Sequence, residues 1–272
     1  MTTQEGGVPP RGLRVLLSVP GLRTATRGIA AAAIAVILWI LLYTFGGLSE
    51  TAFPPLTSVV GALVGALFSA ELWAAVGATL FGALTGLVLS IIIAVPLGLA
   101  IGLNSRAHRA TSLVIEFLRT IPPPALIPIV VLVLGSGMQT KITLVVVGCL
   151  FSILYQVVYG TREIDSVARD TAKVFEIRRF RYIWSIALPF TLPYMFTGLR
   201  LAVSVALLLS VAVEILLSSG GLGQRINDLA TAQKSAEMYA TIIVVGAIGM
   251  TMNSLLLMLQ RRVLDWTPSS RV

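Results

Sequence analysis

Residues 76–103 read VGATLFGALTGLVLSIIIAVPLGLAIGL, twenty-eight positions without a charged side chain. An apolar run of about 18 residues or more is long enough to cross the hydrocarbon core of a bilayer. Working outward, similar blocks recur on both sides. Upstream, Ile29–Phe45 is expected to form a first span behind a polar, Pro/Gly-rich tail (1–28) that carries Arg11, Arg14, Arg23 and Arg27. This block is longer than the apolar core of a secretory signal, and no small-residue cleavage site follows it, so it is predicted to be retained. Thr57–Phe68 is a run of only about twelve apolar residues, which suits an interfacial or re-entrant helix better than a span.

Downstream of Leu103, a short basic turn (Asn104–Arg109) leads to a third span that is broken. Thr111–Thr120 is helical in pattern, Pro122–Pro124 interrupts it and Ala125–Leu134 resumes. Such an interruption at membrane depth is tolerated only against protein or a water-filled cavity. Gly135–Lys141 reads as a turn, Ile142–Tyr159 as the fourth span, Tyr194–Leu217 as the fifth and Tyr239–Leu259 as the sixth. Pro193 is placed in the first turn of the fifth helix. A Gly-rich loop (Gly220, Gly221, Gly223) and a polar segment to Met238 separate the last two. The expected fold is an all-α integral membrane protein with six transmembrane helices, its membrane domain covering 29–262 and a short tail covering 263–272. Gly82 with Gly86, and Gly98 with Gly102, are small-xxx-small pairs that allow close helix contact.

Composition agrees with the membrane reading. Hydrophobic residues make up 56% of the 272-residue chain and charged residues 12%, about half the charged share of a soluble domain. The net charge of +8 raises the question of nucleic acid, but the basic residues cluster at the ends of the apolar blocks. Segments 1–28, 104–112, 160–182 and 260–272 carry fifteen Lys and Arg, whereas 46–72, 135–141 and 218–238 carry three. By the positive-inside rule both termini lie in the cytoplasm, and a nucleic-acid partner is not expected. One cysteine, Cys149, allows no intramolecular disulfide, and one histidine, His108, gives no metal site. The chain has no P-loop, no H-E-x-x-H and no G-x-S-x-G, so neither ATP binding of its own nor hydrolytic catalysis is expected.

Charges within spans are costly and tend to face a bundle interior or a cavity. Glu116 and Arg119, three apart on one helical face, could pair with each other, and for these two a structural role is favoured over lining the path or a gate. Arg200 and Glu214, both in the fifth span, are candidates for the pathway or a gate, and Glu214→Gln is expected to impair transport more than assembly.

The longest polar stretch between spans, 160–182, holds six basic and four acidic residues. Ile164, Val167, Ala168, Thr171, Ala172 and Phe175 recur at helical spacing, with Arg169, Asp170, Lys173 and Glu176 turned away. A membrane chain without a nucleotide site can receive work from a separate ATPase through a short amphipathic helix of this kind. The same helix would also suit the lipid headgroups.

Within this stretch, Asp170-Thr171-Ala172, Glu176 and Ile186-Ala187-Leu188-Pro189 resemble the E-A-A-x3-G-x9-I-x-L-P signature of binding-protein-dependent ABC importer permeases. Asp170, Thr171 and Glu176 depart from it; Ala172, Ile186, Leu188 and Pro189 agree. Further segments resemble the nitrate/taurine/alkanesulfonate branch: Arg119-Thr120-Ile121-Pro122, Ala125-Leu126-Ile127-Pro128, Leu192-Pro193 with Gly198-Leu199-Arg200, Ala212-Val213-Glu214, and Gly221-Leu222-Gly223.

The resemblance implies a permease subunit in a bacterial inner membrane, working as a homodimer with an ATP-binding cassette dimer and an extracytoplasmic solute-binding protein. ATP and Mg would sit on the partner ATPase, and no cofactor on this chain. Its ATPase-coupling residues would be Asp170, Thr171, Ala172, Lys173, Phe175, Glu176, Leu188 and Pro189, on a cytoplasmic coupling helix between the fourth and fifth spans. Where the family has Gly, Glu176 is expected to let the helix run on without a left-handed turn, facing Lys173. The alternative is a secondary transporter or channel needing no ATPase, which internal inverted repeats would favour; none is seen.

Overall fold

The computed structural model describes residues 20–47, 49 and 51–265. The regular structure of these residues is entirely helical. In chain order the helices are α1 (Pro20–Phe45), α2 (Leu56–Leu67), α3 (Ala70–Leu103), α4 (Ser105–Thr120), α5 (Ile127–Leu134), α6 (Met138–Arg162), α7 (Ser166–Val174), α8 (Arg179–Leu217), α9 (Leu222–Thr231) and α10 (Ser235–Val263). The predicted tails 1–28 and 263–272 lie largely outside the described residues.

Four of these helices, α3, α6, α8 and α10, are long and apolar enough to cross a membrane. Helices α4 and α5 make a fifth only if counted together, because they meet at an 85° bend across the Pro122–Pro124 break. A 3-10 turn over Pro123–Leu126 carries the chain around that corner. The expected first span falls within α1, whose described apolar segment Val36–Phe45 is shorter. The expected short helix is present as α2, twelve residues long.

Three boundaries differ from expectation for local reasons. Asn104–Arg109 is not a turn, because the Asn104 carboxamide accepts the amides of Arg106 and Ala107 (3.0 and 3.3 Å) and so starts α4 at Ser105. Helix α6 begins at Met138, which moves Lys141 from a loop into a helix. Helix α8 begins at Arg179 and passes a π turn at Ile183–Ala187, so Pro193 lies inside it and not in its first turn. The wide turn sits just before Pro189, whose missing N–H removes an ordinary helical bond.

The core sits between α3, α6 and α8, where Ala83, Val145, Cys149, Ile153, Val157, Ala202 and Ala206 are fully buried. Glycine makes this packing possible. A Cβ on Gly98 would stand 2.6 Å from Val157 Cγ1, and one on Gly102 2.7 Å from Thr161 Cβ. Lipid tails are as apolar as these side chains, so close backbone approach supplies the association that the hydrophobic effect supplies in water. One end of α1 is tied down by Trp39, stacked on Phe53 (4.3 Å) and edge-on to Tyr239 (5.1 Å).

Candidate functional site

The segment after α6 is built as a short projecting helix. The Asp165 carboxylate caps α7 by accepting the Val167 amide (3.0 Å). Ile164 and Ala172 are buried and seat the helix on the bundle. Outward, Val167, Val174 and Phe175 are 68%, 80% and 74% exposed. Three large apolar side chains standing clear of a basic surface mark an interaction site better than scattered single ones would.

The helix ends in a left-handed turn. Phe175 donates to Thr171 O (3.0 Å), Glu176 N to Lys173 O (3.0 Å) and Ile177 N to Ala172 O (2.9 Å), with Glu176 at φ 52°. The last two of these bonds are the Schellman closure normally made by Gly. The expectation of a continuous helix through Glu176 is therefore overturned: the turn that the family signature assigns to Gly is made here by Glu. Lys173 pairs with Asp170 (2.8 Å) and not with Glu176. That hydrogen bond holds the Asp170 carboxyl below its ordinary range. Whatever the exposed pair contributes is present above the usual carboxylate range and is lost as the pH falls through the lowered value.

Because a non-Gly residue in this conformation is strained by on the order of 1 kcal/mol, Glu176→Gly is expected to firm the end of α7. Affinity for a partner ATPase in detergent should then stay equal or rise; a looser complex would contradict the turn.

Of the predicted coupling residues, Asp170, Thr171, Ala172 and Lys173 share α7, Phe175 and Glu176 form its cap, and Leu188 and Pro189 begin the long part of α8. Leu188 packs against the central core, so these last two join the bundle and not the projecting surface. Between α7 and the α3–α4 junction lies a groove of about 580 Å³ lined by Asn104, Arg162, Arg169, Lys173 and Tyr182.

The intramembrane charges fall into three separate places. Arg200 is exposed and donates to Gln260 Oε1 (2.9 Å). Arg119 lies over the Tyr155 ring, 4.6 Å from its centroid. No ion pair joins it to Glu116 among the described residues, so the pairing that their spacing allows is not made. Glu214 is 0% exposed and forms an ion pair with Lys141, also 0% exposed (2.8 Å). Its carboxylate further accepts the Thr79 hydroxyl (2.9 Å), the Gly223 amide (2.8 Å) and, at 3.4 Å, the Ser210 hydroxyl. Lys141 also donates to Gly220 O (3.2 Å), and Leu222 N to Thr79 Oγ1 (2.8 Å).

This network ties α3, α6 and α8 to the Gly-rich loop before α9. A Cβ on Gly82 would strike the Lys141 side chain, and one on Gly221 the Glu214 carboxylate. Both charges are thus paired and hydrogen-bonded, the condition under which buried ions are tolerated. Arg200 and Glu214 are not brought together.

A bundle of long apolar helices with one sharply bent helix pair, a buried ion-pair lock and a short projecting amphipathic helix defines a multi-helix membrane component. The chain belongs to the binding-protein-dependent transport system inner membrane component family, whose model matches residues 86–265. Its relatives include the putative aliphatic sulfonates transport permease SsuC of Bacillus subtilis, 30% identical, with 57% of this chain and 56% of that protein covered. The nitrate import permease NrtB of Synechococcus elongatus is 33% identical over 58% of this chain and 57% of its own length. The taurine transport permease TauC of Escherichia coli is 28% identical, with 56% of each chain covered. The match thus spans a little over half the length of these curated relatives. A chain of the MetNI methionine ABC transporter, solved in inward-facing conformations, shares the fold with TM-score 0.63 at 19% identity, covering 71% of this chain and 96% of that one.

Proposed function

We propose that the chain is the permease subunit of an ATP-binding-cassette importer for a small organic anion or oxyanion, coupled to its ATPase through α7. The observation that carries this reading is the exposed apolar trio Val167, Val174 and Phe175 on a capped helix between the fourth and fifth predicted spans. The relatives' names point to sulfonates, nitrate and taurine as the substrate class. In this reading six spans place both termini in the cytoplasm of an inner membrane. Two copies of the permease enclose the path, since one chain supplies too few helices. A dimer of ATP-binding subunits docks below with its ATP and Mg, and an extracytoplasmic binding protein delivers the solute above. The chain performs no chemistry; closure of the ATPases moves α7 and switches the path. Arg200 and Glu214, as path or gate residues, differ in what supports them: Arg200 is accessible, and Glu214 is sealed into the lock.

The test is reconstitution of the full chain with its ATPase and binding protein in proteoliposomes. Uptake of labelled nitrate or taurine is expected to require ATP and the ATPase. Uptake driven by an ion gradient without the ATPase would favour the secondary-transporter reading instead. For topology, a cysteine at the exposed Ser166 is expected to be shielded from an impermeant thiol reagent outside intact cells, and one at the exposed Ser49 to react. Equal labelling of the two would sink the six-span arrangement.

A further inference from the structure

Two sides of the bundle carry large cavities of opposite character. One, of about 790 Å³, is lined by Leu63, Leu80, Leu84, Leu256 and other apolar side chains. Its polar side chains are Trp73, whose indole N–H already donates to Leu67 O, and Thr251, whose hydroxyl donates to Ala247 O. Such a surface fits lipid tails. The other, of about 730 Å³, lies beside the Pro122–Pro124 break, against α4, α6 and α8. It is lined by Arg119, Ser152, Tyr155 and Gln156 as well as by apolar residues, and none of these four makes a side-chain hydrogen bond or ion pair within the described residues.

Four unpaired polar side chains at membrane depth cannot face hydrocarbon cheaply. A backbone break at the same depth asks for water or protein. Both conditions are met if this cavity holds water and a polar solute. The cavity's lining contains no carboxylate, so its one charge is the guanidinium. The contact with the Tyr155 ring holds that group beside α6, and its N–H groups make no hydrogen bond within the described residues. A planar fork of donors suits bidentate binding of a nitrate, carboxylate or sulfonate.

We propose that this cavity is the anion-selecting part of the translocation path, with Arg119 recognising the anionic group and Ser152, Tyr155 and Gln156 supplying further hydrogen bonds. The proposal rests on the permease reading above and adds the site of selection to it.

A cysteine at Ser152 reports on the cavity without ATP, ATPase or binding protein, so its result stands apart from the coupling test. The full chain in proteoliposomes, with native Cys149 buried, would be labelled with two methanethiosulfonates, one bearing a sulfonate and one a quaternary ammonium. Ser152→Cys is expected to react, and to prefer the sulfonate reagent. Leu84→Cys, in the apolar cavity, should stay inert to both. Adding Arg119→Gln should lower the sulfonate rate about threefold or more relative to the ammonium rate, as expected for removing one nearby charge in a partly wet site, and Arg119→Lys should restore most of it. Nitrate should slow labelling only while a cation occupies position 119. Equal labelling of Ser152→Cys and Leu84→Cys, or a sulfonate preference that survives Arg119→Gln, would overturn the proposal. Loss of ATP-driven uptake with the labelling pattern intact would instead count against the ATPase-coupled reading alone.

Discussion

Replacing Lys141 by methionine is expected to destabilise the folded chain by about 3 kcal/mol or more, the cost of leaving a buried carboxylate without its partner. Glu214 has no route to water, being 0% exposed beneath Thr79, Ser210 and the Gly221–Gly223 loop. The double variant Lys141→Met with Glu214→Gln should recover most of the loss. The glutamine oxygen can still accept the Thr79 hydroxyl and the Gly223 amide, and no unpaired ion remains. Thermal unfolding of detergent-purified protein, followed by monodisperse size-exclusion recovery, checks both. A double variant no better than the single would remove the ion pair as the cause. The same geometry changes what Glu214→Gln should do. On sequence grounds it is expected to impair transport more than assembly; buried in the lock, it should lower folded protein and uptake together.

A second large effect is expected at the α3–α6 contact. In Gly86→Val the new Cβ would stand 2.5 Å from Val145 Cγ1 and 3.2 Å from the Ile142 carbonyl, so backbone must move. Overpacking of this kind costs about 1–3 kcal/mol or more. Gly77 lies on the same helix with nothing within 4 Å of its would-be Cβ. There the exchange to Val should be near neutral, since Val is the better helix former by a few tenths of a kcal/mol. Similar melting temperatures for the two variants would show that the glycines do not set the helix separation.

Much of this architecture is legible in the sequence because the membrane imposes it. Apolar length marks the long helices, and the Pro122–Pro124 triplet marks a break that the structure makes an 85° bend. The paired glycines 82/86 and 98/102 are at close contacts, a signal too common in Gly-rich chains to decide anything alone. Lys141 is hidden because its meaning depends on Glu214, 73 residues away; after Gly135-Ser136-Gly137 it reads as a loop charge. Thr79 and Ser210 carry no local mark either, since short hydroxyls in apolar helices are ordinary. The turn at Glu176 is missed because backbone preference argues against φ > 0 there, and tertiary closure of α7 overrides it. Helix α9 is missed because its composition is polar and only Leu222 and Gly223 are buried.

The most direct measurement is the affinity of the detergent-purified full chain for the ATP-binding subunit of the same transporter, with wild type compared against Val174→Asp and Phe175→Asp. Both positions are exposed on α7 or its cap and bury nothing in the isolated chain, so folding should be unchanged. If α7 seats in the ATPase, each charge placed in the apolar contact should weaken binding by tenfold or more, on the scale of about 2 kcal/mol typical of a buried anchor. Wild-type affinity retained by both variants, or a wild-type chain that does not bind the ATPase at all, would contradict the account.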